Sequence, residues 1–194
     1  MAKTSNQHTG TYSMLVCDFK NGAWEQPKIM PYQNISIAPS ARVFHYGQAI
    51  FEGMKAYKDQ EGAAWLFRPE ENFKRFNTSC VRMAMPEIRE DYFFDGLQEL
   101  LKLDQNWIKS GAGNSLYIRP FMIASEAGVS ASPATEYKFM IICSPAQAYY
   151  GAPGFRSFLA PPPGPLRLFW PPQNHRPLPR NTTPECGGPT TAAG

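Results

Sequence analysis

The spacing of hydrophobic and polar positions changes several times along the chain, and each change predicts an element. Residues 14–19 put Met14, Val16 and Asp18 in alternation with Leu15, Cys17 and Phe19, which predicts a strand mostly buried on both faces. Asn21-Gly22 suits a hairpin turn, so residues 24–29 should pair back. Residues 31–39 carry prolines at both ends and read as a loop or a short edge strand. A 3.6-residue period covers 69–85, with Phe73, Phe76, Cys80, Met83 and Ala84 on one face. Pro69 fits the first helical position, Glu70 and Glu71 suit the positive end of the helix dipole, and Pro86 stops the helix. A second helix is predicted over 91–107, with Phe94, Leu97, Leu100, Leu101 and Ile108 inward and an exit at Gly111 and Gly113. Residues 115–125 and 137–144 are β-rich apolar runs, joined by a flexible loop over 126–135. Strands with two helices grouped among them predict an α+β layer.

One stretch, RVFHYGQAIFEGMKAY over 42–57, does not keep a single period. Ten of its residues hold Phe44, Tyr46, Phe51, Gly47, Gly53 and one acid, Glu52. Gly47 can end or turn a preceding strand, and 48–54 reads as one short helical turn. Gly53 suits a place where a side chain would block close approach. Alternation on either side of residues 59–62 predicts a hairpin. The residues alone favour a buried packing motif over a ligand-contacting one, because aromatics mostly lie in cores. His45 has no Ser or Cys nucleophile motif beside it and reads as structural; Glu52 reads as a group that orients backbone in the turn.

Composition narrows the partners. The chain has 194 residues, 43% of them hydrophobic, which is enough for one or two domains with a core. The net charge is +3 and Lys and Arg are scattered, so neither nucleic acid nor an anionic membrane surface is expected. Cys17, Cys80, Cys143 and Cys186 lie far apart without a CxxC. The first three read as reduced, buried thiols of a cytoplasmic protein, with no metal site. The polar N-terminus has no apolar signal segment, and no apolar run approaches the ~20 residues of a membrane helix.

Read whole, HYGQAIFEGMKAY resembles the signature of the branched-chain amino acid aminotransferases, pyridoxal-phosphate enzymes of fold type IV. FRPEENFKRFNTSCVRMAMP, ELLKLDQNWI and SLYIRPFMI resemble the segments that follow it in that family, in the same order. The resemblance runs from about residue 13 to 151. It implies the small α+β N-terminal domain of these enzymes over 11–150, with a larger barrel-like domain following in the family. It also implies transfer of an amino group between Leu, Ile or Val and 2-oxoglutarate, and a homodimer for the full-length protein. Arg75 falls where the family binds the cofactor phosphate, and a planar guanidinium suits a phosphate; without the resemblance it reads as a solvent-facing helix arginine. Tyr46, Phe51 and Gly53 match the part of the signature that lines the substrate pocket. Tyr117 and Arg119 share one face of their strand, with Leu116 and Ile118 on the other. The resemblance makes both pocket residues; an ordinary strand with one wet face is the competing reading. Tyr149 matches a further tyrosine at the interdomain connection, and the loop over 126–135 is expected to cover the substrate.

The chain also departs from the family. Its last lysine is Lys138, so the family's cofactor-binding lysine, which follows SLYIRP in the large domain, has no counterpart and no catalytic residue is assigned. The carboxylate that partners the cofactor ring and the remaining phosphate loops belong to that domain too. Residues 155–194 hold ten prolines, no Lys, no Asp and one acid, Glu185. Such composition predicts a disordered or extended tail over 151–194. The abrupt change resembles what a reading-frame shift or a truncated gene model would produce. The alternative is a non-catalytic α+β domain whose Pro-rich tail binds a partner, with Pro162–Pro165 and Arg167 as the nearest approach to a PxxP ligand.

Overall fold

The computed structural model describes residues 11–109 and 113–146. Their centre is a pair of long strands, β7 (Ser115–Ala124) and β8 (Tyr137–Ala146), paired antiparallel along their full lengths. On the far side of β8 lies β1 (Ser13–Lys20), with Met14 opposite Ile142 and Phe19 opposite Tyr137. Asn21 and Gly22 both take positive φ, as the hairpin expectation requires, and return the chain as β2 (Ala23–Trp24) and β3 (Lys28–Pro31). Phe19 faces Trp24 but Val16 faces Lys28, so the returning side carries one extra residue and bulges within residues 25–27.

The other edge of β7 holds β4 (Ala49–Phe51) and β5 (Met54–Lys58) end to end, and β6 (Ala64–Leu66) pairs with β5 as the predicted hairpin. All pairings are antiparallel and join these strands in one curled sheet. Among the described residues three α-helices accompany it: α1 (Arg42–Tyr46), α2 (Pro69–Arg82) and α3 (Glu90–Asp104). Phe76 of α2, Phe93 of α3 and Phe139 of β8 are fully buried and meet ring to ring, with centroids 5.5–6.1 Å apart. Burial of such side chains, about 1.5–3 kcal/mol each, holds the helices on one face of the sheet.

The expectation of a short helical turn over 48–54 is corrected: the helix precedes Gly47, whose left-handed conformation ends α1, and the chain is extended from Ala49 onward. Ile50, Glu52, Met54 and Ala56 are buried while Ala49, Phe51, Gly53, Lys55 and Tyr57 are exposed, a strict period of two. The first long helix ends at Arg82, not at 85, because the chain leaves it through Ala84 at positive φ. This turns Met83 outward and Met85 into the core. In α3 the innermost aromatic is Phe93, with Phe94 only half-buried.

Candidate functional site

The site grows from a defect in the sheet. β4 and β5 keep one register against β7, with Phe51 opposite Phe121 and Met54 opposite Ile118. Between them Glu52 stands opposite Pro120 and donates its N–H to the Pro120 carbonyl at 2.8 Å. Proline has no N–H to return, so the ladder is interrupted at Glu52 and Gly53. Alternation continues through the break, which puts an acid on the buried side and leaves Phe51, 65% exposed, on the open side.

On the open face the structure brings together four residues singled out in the sequence. A Cβ on Gly53 would stand 2.5 Å from Tyr117 Oη, so only glycine lets the phenol cross the backbone there. Arg119 donates to that oxygen from Nε at 3.1 Å and from Nη2 at 2.7 Å. Its guanidinium also lies 4.3 Å from the Phe51 ring centroid, within cation–π range. Phe51, Gly53, Tyr117 and Arg119 therefore form one patch, with an aromatic wall, a close backbone floor and a fixed cation. Tyr117 and Arg119 share the open face, while Leu116 and Ile118 are buried beneath the helices.

Arg75 sits on the helix side of the same break. From α2 it grips Glu52 with two parallel bonds, Nε to Oε1 at 2.6 Å and Nη2 to Oε2 at 2.7 Å. Asn72, one turn earlier, donates to Glu52 Oε2 at 2.9 Å and to the Gly53 carbonyl at 3.2 Å. Burial alone would raise the Glu52 carboxyl; the hydrogen bonds from Arg75 and Asn72, with the Arg75 charge, outweigh it and hold the group below its ordinary value. The Glu52 hydrogen bond in turn raises the Arg75 guanidinium. Glu52 also accepts the Gly53 N–H at 3.3 Å, so it does orient the turn backbone. Two of the five guanidinium N–H groups of Arg75 are thus engaged, and the side chain, 61% exposed, turns its outer edge outward. Geometrically this edge suits an anion such as a phosphate.

Tyr46 has a separate support. Its hydroxyl donates to the Val129 carbonyl of the loop after β7, and its ring is half exposed. Sequence reasoning missed the residue that organises this region. Arg42, one helical turn before Tyr46, is 6% exposed and binds the same loop. Its partners lie more than eighty positions away, so no local pattern announces them. His45 makes a contact with the Pro39 carbonyl at 3.0 Å, in keeping with a structural role. Tyr149 and the whole Pro-rich segment lie outside the described residues.

Cys17, Cys80 and Cys143 are buried free thiols, each pushed up to about 12 by burial. Among the described residues no cluster of His, Cys, Asp or Glu could hold a metal ion, and no helix is long and apolar enough to cross a membrane.

No family model matches the chain. Its sequence is 46% identical over 139 residues to branched-chain-amino-acid transaminase 1 of Bacillus subtilis, covering 71% of this chain and 39% of that protein. It is 49% identical over 128 residues to a probable branched-chain-amino-acid aminotransferase of Staphylococcus aureus, covering 66% and 36%. The chain thus spans well under half the length of these relatives. Among solved structures, the Escherichia coli branched-chain amino acid aminotransferase superposes with a TM-score of 0.53 at 21% identity, covering 74% of this chain and 42% of the other. The T.th. branched-chain amino acid aminotransferase with pyridoxamine 5'-phosphate superposes at 0.51 with 25% identity, covering 70% and 41%. The fold is that of the small N-terminal domain of the fold type IV aminotransferases.

Proposed function

We propose that this chain, whose sequence and structural homologues are branched-chain amino acid aminotransferases over part of its length, carries the small substrate-side domain of such an enzyme over 11–150. The observation that carries the reading is the patch made by Phe51, Gly53, Tyr117 and Arg119, with Arg75 held through Glu52 on the other side of the same break in the sheet. Phe51 and the Tyr117 ring offer the apolar wall that a leucine, isoleucine or valine side chain requires. Arg119, fixed by Tyr117, offers a cation to a carboxylate of the amino acid or of 2-oxoglutarate. Arg75 presents its outer N–H groups to the phosphate of pyridoxal phosphate, which supplies the electron sink of transamination when bound.

The role of this domain is therefore binding and orientation. In the family that the sequence resembles, the lysine that moves the Cα proton lies in the large domain that follows this one. The small charge and the scattered basic residues favour small-molecule partners over nucleic acid or membrane, and a homodimer is the assembly proposed for the complete enzyme.

The test is ligand binding to the chain itself. Inorganic phosphate should perturb the resonances of Glu52, Gly53 and Asn72 beside Arg75, and 4-methylpentanoate those of Phe51 and Tyr117. Arg75→Ala should abolish the first effect and leave the second. Arg75→Lys should keep part of it, because lysine retains a point charge without the fork. Perturbation of neither set at millimolar ligand would overturn the assignment.

A further inference from the structure

The loop between β7 and β8 is expected from sequence to be flexible, yet it is fastened at several points to one buried arginine. Arg42 Nη1 donates to the Ser130 carbonyl at 3.0 Å, to the Ser132 carbonyl, and to Ser132 Oγ at 2.6 Å. Its Nη2 donates to Glu126 Oε1 at 3.0 Å and to Ser130 Oγ at 3.3 Å. Glu126 extends the grip, since its other oxygen accepts the Thr135 amide at 2.5 Å and the Thr135 hydroxyl at 3.1 Å. Backbone bonds close the same unit: Arg42 N–H to the Glu126 carbonyl at 3.0 Å, and Gly128 N–H to the Ser40 carbonyl at 2.9 Å. Within it the Val129 carbonyl receives the Tyr46 hydroxyl, and the Val129 side chain stays exposed.

We propose that Arg42 is the positioning residue of this region, a clamp that makes residues 126–135 and Tyr46 a preformed wall instead of a lid ordered by ligand. The inference rests on the reading of Tyr46 as a pocket residue only for its functional meaning; the clamp itself is a property of the free chain. A fork of parallel donors is what the site uses. Nη1 reaches two carbonyls and a hydroxyl at once, while Nη2 holds the carboxylate, and an ammonium group cannot span the same set. A wall already fixed in the free protein loses little conformational freedom when a ligand meets it.

Hydrogen exchange of the full chain, without cofactor or substrate, tests this. In the wild type the amides of Gly128, Ser132 and Thr135 should exchange much more slowly than unstructured amides. Arg42→Lys should speed them at least tenfold while the paired amides of β7 and β8 keep their wild-type rates. Fluorine resonances of fluorotyrosine-labelled protein should show the Tyr46 signal moving in the same variant. Should Arg42→Lys speed exchange throughout the sheet, Ser132→Ala, which removes the Ser132 Oγ contact, and Glu126→Gln, which weakens the hold on Arg42 and Thr135, should raise only the loop rates, by a few-fold. Unchanged loop exchange in these variants, or free exchange of the loop in the wild type, overturns the clamp. Neither result bears on phosphate or 4-methylpentanoate binding, so the clamp and the proposed function fail separately.

Discussion

Gly53 lies beneath Tyr117 so closely that a methyl group at position 53 would come within 2.5 Å of the phenol oxygen and 3.2 Å of the ring carbon that bears it. The contact joins the two halves of the candidate site. Glu52, next in the chain, takes Arg75 and the Gly53 N–H on one side of the sheet edge, while Tyr117 takes Arg119 on the other. A shift of this one backbone unit would move both cations.

Gly53→Ala should therefore cost stability through overpacking, by about 1–3 kcal/mol. The cost should shrink in a Tyr117→Phe background, where the nearest obstructing atom is gone. Urea unfolding of the two single variants, the double variant and the wild type gives the coupling directly. An equal cost of Gly53→Ala in both backgrounds would show that Tyr117 is not the obstruction.

Arg75→Ala should change how stability depends on pH. With Arg75 present the Glu52 carboxyl is held below its ordinary value of 4.5. Its contribution is therefore complete above that value and is lost as pH falls through the lower folded-state value. Without Arg75, burial opposes the remaining bonds from Asn72 and Gly53, and the carboxyl titrates higher. The loss of stability at neutral pH should be about 1–3 kcal/mol, nearer the lower figure because the arginine is largely exposed and solvent screens it. The loss on acidification should become smaller. A carbon-13 titration of Glu52 checks the sign; an unchanged titration in Arg75→Ala would sink the argument.

Much of this was legible in the chain because the patterns are local. Asn21-Gly22 sets its own turn, and the alternation through Leu116–Arg119 separates a buried pair from a pair on the open face. The stretch over 48–54 misleads because its polarity is inverted. An acid occupies the buried side at Glu52 and a phenylalanine the open side at Phe51, so the period of two is hidden from hydrophobicity. Pro120 was an available signal, since a proline in the middle of an apolar strand predicts an interrupted ladder beside it. Phe93 and Phe94 are adjacent, and only the packing against Phe76 and Phe139 decides which turns inward. Arg42 had no signal at all, as its meaning lies in contacts with residues 126–132.

The buried thiols should be inert in the native chain. Cys17, Cys80 and Cys143 are each about 2% exposed or less, and burial pushes each thiol up to about 12, so the reactive thiolate is scarce at neutral pH. Iodoacetamide at pH 8 followed by peptide mapping should leave all three unmodified until urea is added. Rapid native alkylation of any of them would mean that its part of the core opens readily.

The last prediction concerns covalent attachment of the cofactor. Pyridoxal phosphate forms an imine only with an uncharged amine, so a lysine that captures it must give up its proton and reach an open site. Lys138, the last lysine of the chain, does not stand at an open site. It projects from β8 beside Asp18 of β1, bonds to that carboxylate, and its side chain is only 17% exposed. Lys28, Lys74 and Lys102 are exposed, and each has a carboxylate neighbour only at the screened surface. None of these three lies among the residues of the candidate patch, whereas Lys55, exposed on β5, stands opposite Tyr117. Borohydride reduction after incubation with pyridoxal phosphate should therefore give scattered, substoichiometric labelling of surface lysines, Lys55 among them, and spare Lys138. Turnover of leucine with 2-oxoglutarate is assayed on the same protein, since a positioned base contributes ~10²–10⁴-fold to proton transfer. One stoichiometric label at a single lysine, together with turnover, would show that this chain holds its own catalytic base and that the domain does more than bind and orient.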